Sequence, residues 1–156
     1  MRKNSGFTAF ELAVSLAIMV IIAALVLPPY LKWLRGHRLR GAVTNLMADM
    51  EMAKIRAIRE NSMIAVQFCQ DRYTIFNENG DTNYTCGPAG REVYRHRELP
   101  AGVEIDLGDL TFANERTRFN GRGLPDGITT SQFIPVKNKT NRQEISVNRL
   151  GYMKLQ

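Results

Sequence analysis

The spacing of apolar positions along this chain changes period twice, and each change marks a different element. After a short polar start, Met1-Arg2-Lys3-Asn4-Ser5-Gly6, the residues from Phe7 to Leu27 are almost continuously apolar. As a helix this run is roughly 30 Å long, the thickness of a bilayer's hydrocarbon core. It closes at Pro28-Pro29-Tyr30. Neither proline has a backbone N–H, and Pro29 pushes Pro28 toward extended geometry, so the pair predicts a kink or a local loss of helix. From residue 31 to about 60 a helical period takes over. Leu39, Val43, Leu46, Met50, Ala53 and Ala57 follow one another at steps of four and three, which lays them on one face. Asp49, Glu51, Lys54, Arg56 and Arg59 are placed on the other faces. The methionines in the stripe are core rather than a cofactor box.

From Ser62 the period becomes two. Met63 to Cys69 reads as a strand and Tyr73 to Phe76 as its partner, with Gln70-Asp71-Arg72 as the turn. Asn77-Glu78-Asn79-Gly80-Asp81 is a turn signal, and residues 78–90 form a loop holding Cys86. Further strands are expected at Glu92–Glu98, Val103–Leu107, Arg116–Asn120, Ser131–Val136, Gln143–Val147 and Tyr152–Leu155, with a loop from Gly121 to Gly127. One long helix followed only by short strands predicts an α+β fold with an antiparallel β domain. The segments are 1–6 (leader), 7–30 (membrane helix), 31–61 (amphipathic helix) and 62–156 (β domain).

The apolar run at the start has an ordinary explanation, a secretory signal peptide or a plain anchor behind Arg2 and Lys3. Two features oppose it. Leu27-Pro28-Pro29-Tyr30-Leu31-Lys32-Trp33 is bulky where signal peptidase needs small residues. Glu11 is a carboxylate inside the run, at a cost of about 2.5–3.5 kcal/mol on insertion scales. A simple anchor has no use for it.

Gly6-Phe7-Thr8-x-x-Glu11 followed by an apolar helix resembles the processing signal of type IV pilins and type II secretion pseudopilins. The departure is Ala9-Phe10, where the pattern more often carries larger aliphatics. The resemblance implies cleavage between Gly6 and Phe7 by a prepilin peptidase, N-methylation of the new Phe7 amine, and a partner role for Glu11, the fifth residue after the cut. It also implies that Pro28 and Pro29 form a helix joint. Ala53 to Asn61, Phe119-Asn120-Gly121-x-Gly123 and Ile145-Ser146-Val147-x-x-x-Gly151-Tyr152 resemble blocks of the H-type pseudopilin and FimT minor-pilin group (GspH/FimT), with Lys54 standing where that group carries Arg. The implied fold is pilin-like. The implied role is a structural subunit whose partners are other pilin or pseudopilin subunits, the prepilin peptidase/methyltransferase and an inner-membrane assembly platform. The implied location is the inner membrane, N-terminus cytoplasmic and β domain periplasmic, then the filament.

Charge and chemistry modify this picture slightly. The net charge is +6; loss of Arg2 and Lys3 with the leader would leave +4. Arg2 and Lys3 place the N-terminus inside by the positive-inside rule, but Lys32, Arg35, Arg38 and Arg40 oppose that orientation, so the motif must decide it. Cys69 and Cys86 are a candidate disulfide in a periplasmic domain, with two buried thiols as the alternative. No metal or cofactor is expected, because only His37 and His96 are available and neither has ligand spacing. Gly-x-Ser-x-Gly and phosphate-loop patterns are absent, and Asp106 and Asp109 read as a solvated turn, so an enzyme is disfavoured. Residues 110–156 hold eight Lys or Arg against three acids. Arg116, Arg118, Arg122, Lys137, Lys139 and Arg142 are the candidate phosphate contacts of an alternative reading, a pilus-tip DNA receptor; a solvated basic surface is the plainer one.

Overall fold

The structure is a computed structural model and describes residues 8–78, 86 and 92–156. The leader, Gly6 and Phe7 therefore lie outside the described residues, as does most of the 78–90 loop. The chain divides into two compact units, Met1–Leu34 and Arg35–Gln156. One helix, α1 (Ala9–Glu60, 52 residues), contributes to both.

In the first unit every described residue up to Trp33 is exposed, including the large apolar side chains from Phe10 to Leu31. By length and composition this helix can cross a membrane. The backbone stays helical through Pro28 and Pro29. Of the two expected outcomes, a kink or a local loss of helix, the loss of helix does not occur. The two prolines cannot donate to the carbonyls of Ala24 and Leu25, but proline's fixed φ is itself helical, and cooperative bonding on both sides carries the backbone through.

In the second unit α1 buries Leu39, Ala42, Val43, Leu46, Asp49, Met50, Ala53 and Ala57. All six positions of the expected stripe are among them. Asp49 is the exception to the expected pattern: it is buried, not on an outer face. The helix ends in a left-handed Asn61 (φ 45). Asn61 N–H donates to Ile58 O at 3.4 Å and Ser62 N–H to Ala57 O at 3.2 Å, which satisfies two of the last carbonyls.

Among the described residues eight strands follow: β1 (Ile64–Phe68), β2 (Arg72–Asn77), β3 (Val93–Glu98), β4 (Val103–Ile105), β5 (Arg116–Phe119), β6 (Gln132–Asn138), β7 (Arg142–Val147) and β8 (Met153–Leu155). Each falls within two residues of an expected strand at both ends; the largest departures are β4, which stops two residues early at Ile105, and β6, which runs two residues further to Asn138. They do not form one sheet. The first sheet has the order β3-β2-β1-β5 and the second β4-β6-β7-β8, every neighbouring pair antiparallel. The helix stripe, Ile64, Val66, Phe68 and Ile75 from the first sheet, and Ile134, Val136, Ile145 and Val147 from the second share one core. A 3-10 turn, Ala113–Glu115, precedes β5 and was not expected; Asn114 and Glu115 both have φ 55. Cys69 and Cys86 form a disulfide with a Cα–Cα distance of 5.9 Å.

Candidate functional site

Glu11 sits in the first turn of α1 and is exposed. Its neighbour Thr8 is the helix N-cap. Thr8 N–H and Thr8 Oγ1–H donate to Glu11 Oε2 at 3.0 and 2.9 Å, and Glu11 N–H donates to Thr8 Oγ1 at 3.2 Å. This is a reciprocal capping box, in which two otherwise unpaired donors at the helix start are satisfied. Its signal in the sequence is Thr8-x-x-Glu11 ahead of an apolar run. The carboxylate of Glu11 thus has a partner within its own chain, although it stands among exposed apolar side chains.

The candidate cations are dispersed by their acid partners. Arg116 is buried, which removes it from the expected set of surface contacts. Its Nε donates to Gln67 Oε1 at 2.8 Å, its Nη1 to Glu78 Oε1 at 3.0 Å, and its guanidinium lies 5.0 Å from the Phe76 ring centre. Gln67 in turn donates to the carbonyls of Asn114 and Glu115, both at 3.2 Å, and so pins the strained turn. A buried arginine needs this set of partners, because an unpaired charge out of water is heavily penalised. Arg118 pairs with Asp126 at 2.9 Å and reaches Glu78 at 3.8 Å. Lys137 pairs with Asp106 at 2.6 Å and Glu104 at 3.6 Å. The Lys137 hydrogen bond holds the Asp106 carboxyl below its usual range. Arg142 is shared by Asp109 at 2.5 Å and Glu144 at 2.7 Å. Arg122 and Lys139 are exposed on separate loops. Six cations that look clustered in sequence are therefore one core residue, three in local ion pairs and two with no ion pair among the described residues.

A second polar cluster was invisible in the sequence. Tyr73 Oη donates to Asp49 Oδ2 at 2.7 Å in the core. Arg97 Nε stands 2.9 Å and Arg95 Nε 3.4 Å from the same carboxylate. Asp49 therefore ties the middle of α1 to β2 and to the edge strand β3. Nearby, Tyr94 Oη donates to Glu60 Oε2, and the Arg56 guanidinium lies 4.3 Å over the Tyr94 ring. These contacts hold a helix on a sheet. Among the described residues no group of three or more His, Cys, Asp or Glu is placed to hold a metal ion.

Comparison with known proteins places the chain. The chain resembles the type IV minor pilin FimU of Pseudomonas aeruginosa, with 15% sequence identity, a TM-score of 0.59, and coverage of 77% of this chain and 89% of that one. It also resembles the minor pseudopilin EpsH of the Vibrio cholerae type 2 secretion system, at 12% identity, a TM-score of 0.57, and coverage of 76% and 96%. At these identities the likeness is one of fold: a long N-terminal helix on antiparallel sheets. No curated protein sequence matches the chain significantly. The family model for type II transport protein GspH matches residues 42–151, most of the chain and nearly all of its β domain. The chain belongs to the GspH family of pilin-like proteins, whose members are structural subunits and not enzymes.

Proposed function

We propose that this protein is a minor pilin or pseudopilin, made as a precursor and built into a type IV pilus or a type II secretion pseudopilus. A prepilin peptidase cuts between Gly6 and Phe7, and the Phe7 amine is N-methylated. Residues 7–30 hold the subunit in the inner membrane with the β domain on the periplasmic side, and an assembly platform then moves it into the filament beside other subunits. The observation that carries this reading is the state of α1 before Leu34. Large apolar side chains are exposed all round it, and one carboxylate stands among them. Such a surface is stable only in lipid or against other helices. Pro28 and Pro29 remove two hydrogen bonds and soften the helix without breaking it, which suits a joint.

Glu11 gives the reading a mechanism. In an apolar bundle its carboxylate needs a positive partner, and the Phe7 amine of a neighbouring subunit supplies one. Only one axial offset brings the two together, so the pair fixes register. The test is Glu11→Ala in the native host. The variant is expected to insert and to be cleaved, but to be nearly absent from sheared or purified filaments. Normal incorporation would overturn the role.

The alternative, a DNA receptor, has less support. Arg116 is in the core and Arg118, Lys137 and Arg142 are neutralised locally. A salt-sensitive gel shift with the purified protein tests it, and no shift at low salt removes it.

A further inference from the structure

Two loops of the second unit are the same turn built twice. In one, Asn120 N–H donates to Leu124 O at 3.0 Å and Gly123 N–H to Asn120 O at 2.8 Å. In the other, Asn148 N–H donates to Tyr152 O at 3.1 Å and Gly151 N–H to Asn148 O at 2.9 Å. Each asparagine side chain accepts two more backbone N–H groups. Asn120 Oδ1 takes those of Arg122 and Leu124, at 2.9 and 3.2 Å. Asn148 Oδ1 takes those of Leu150 and Tyr152, at 2.9 and 3.0 Å. The fourth residue is glycine in both, with φ +74 at Gly123 and +72 at Gly151.

The two turns abut each other and the end of α1. A Cβ at position 151 would stand 3.0 Å from Gly123 O, and one at position 123 would stand 2.6 Å from Ile58 Cδ1. Lys54 runs between them and donates to Gly151 O at 2.9 Å. Its ammonium also lies 5.6 Å from the Tyr152 ring centre.

Because these turns satisfy their own backbone, what they present outward is side chains on a rigid base. Leu150 is 60% exposed and Tyr152 67%; beside them on α1, Ile55 is 53% exposed and Ile58 50%. Arg122 and Arg149 are exposed at the same place, one on each turn. Unlike Arg116, Arg118, Lys137 and Arg142, neither is in an ion pair among the described residues. An apolar centre bordered by unpaired arginines is the composition of a protein interface, in which Tyr and Arg carry much of the affinity. Polyphosphate ligands reward cations and stacking faces, not exposed isoleucine and leucine.

We infer that Ile55, Ile58, Arg122, Arg149, Leu150 and Tyr152 form a docking surface for another protein subunit, one that presents carboxylates around an apolar patch. The charge left unpaired at the surface is positive, so the partner's rim is acidic. The doubled turn is the preorganising device, since a rigid surface loses little conformational freedom on binding. This inference rests on the subunit reading and names a contact of the β domain, separate from the packing of the apolar helix.

The test places p-benzoylphenylalanine at position 150 of the full-length protein in its native host, with position 140 as control, and irradiates assembled filaments. The expected result is a cross-link from position 150 to a co-assembled pilin-like subunit, at a peptide carrying Asp or Glu. Arg122→Glu with Arg149→Glu is expected to lower the yield about tenfold, the consequence of placing like charges at an interface rim. Lysine at the partner's carboxylate is expected to restore it. The double variant should keep its melting temperature, because neither side chain is in an ion pair among the described residues. Cross-links only to nucleic acid or lipid, equal yields from positions 140 and 150, or an unchanged yield after charge reversal would each overturn the surface. Filament incorporation is scored in the same cells. Normal incorporation without the cross-link defeats this inference alone; absence of the unsubstituted protein from every filament defeats the subunit reading.

Discussion

Tyr73 and Asp49 meet at 2.7 Å in the core, a phenol donating to a carboxylate that the helical pattern had assigned to an outer face. Burial first, and then this hydrogen bond, push the Tyr73 phenol up. Tyr94 is pushed up to about 12 by desolvation and by its hydrogen bond to Glu60. Both folded-state values lie above the ordinary tyrosine value of about 10. A raised pKa contributes stability that is complete below the unfolded value and is lost as pH rises through the folded one. Urea unfolding should therefore show stability falling between about pH 10 and pH 12. Tyr94→Phe should flatten that fall, and so should Tyr73→Phe. An identical slope in both variants would contradict the assignment.

Removing the carboxylate is more damaging than removing the phenol. Asp49→Ala leaves the Tyr73 hydroxyl buried without an acceptor and deprives Arg97 of its counter-charge. Arg95 and Arg97 are partly solvated, so their share is discounted. A loss of about 2 kcal/mol is expected, read as the shift of the urea midpoint at constant slope. Asp49→Asn keeps an acceptor for Tyr73 and should lose about half as much.

Arg116 makes a second test of the same physics. Arg116→Ala leaves Glu78 and Gln67 buried with unfilled acceptors and should cost about 3 kcal/mol. Arg116→Met combined with Glu78→Gln removes the charge imbalance and should recover most of it. Full recovery by Arg116→Met alone, with Glu78 kept, would show that packing over Phe76, not charge, is what Arg116 supplies.

Gly151 and Gly127 share a left-handed backbone but differ in surroundings. A Cβ at 127 meets nothing within 4 Å, whereas one at 151 meets Gly123 O at 3.0 Å. Gly127→Ala should cost about 1 kcal/mol, the left-handed penalty alone. Gly151→Ala should cost about 2 kcal/mol or more, since a backbone neighbour must also give way. Thermal unfolding of the two variants side by side reads the difference.

The capping box predicts a local effect. Thr8→Val keeps the volume of the side chain and removes the hydroxyl that bridges to Glu11. It should cost the helix start about 1 kcal/mol, seen as faster hydrogen exchange at the amides of residues 9–11 in micelles. Comparing it with Glu11→Ala separates loss of the cap from loss of the filament contact.

The order of elements was legible in the sequence because apolar periodicity records what each segment must bury. A continuous apolar run needs lipid or other helices, a stripe at steps of four and three needs one packing face, and alternation needs a sheet. That logic gave α1, its buried stripe from Leu39 to Ala57, and the positions of the described strands β1 to β8. It could not give the division into two sheets, since pairing between strands is a long-range choice that alternation leaves open. Nor could it place Asp49 or Arg116 in the core, because charged residues are assigned outward unless their partners are known, and those partners lie 24 and 38 residues away. The blocks Ala53–Asn61, Asn120–Gly123 and Gly151-Tyr152 read as separate stretches along the chain. Only the tertiary structure brings them to one place, where Lys54, Ile58 and Asn61 at the end of α1 meet glycines 121, 123 and 151, positions at which a Cβ would press on its neighbours.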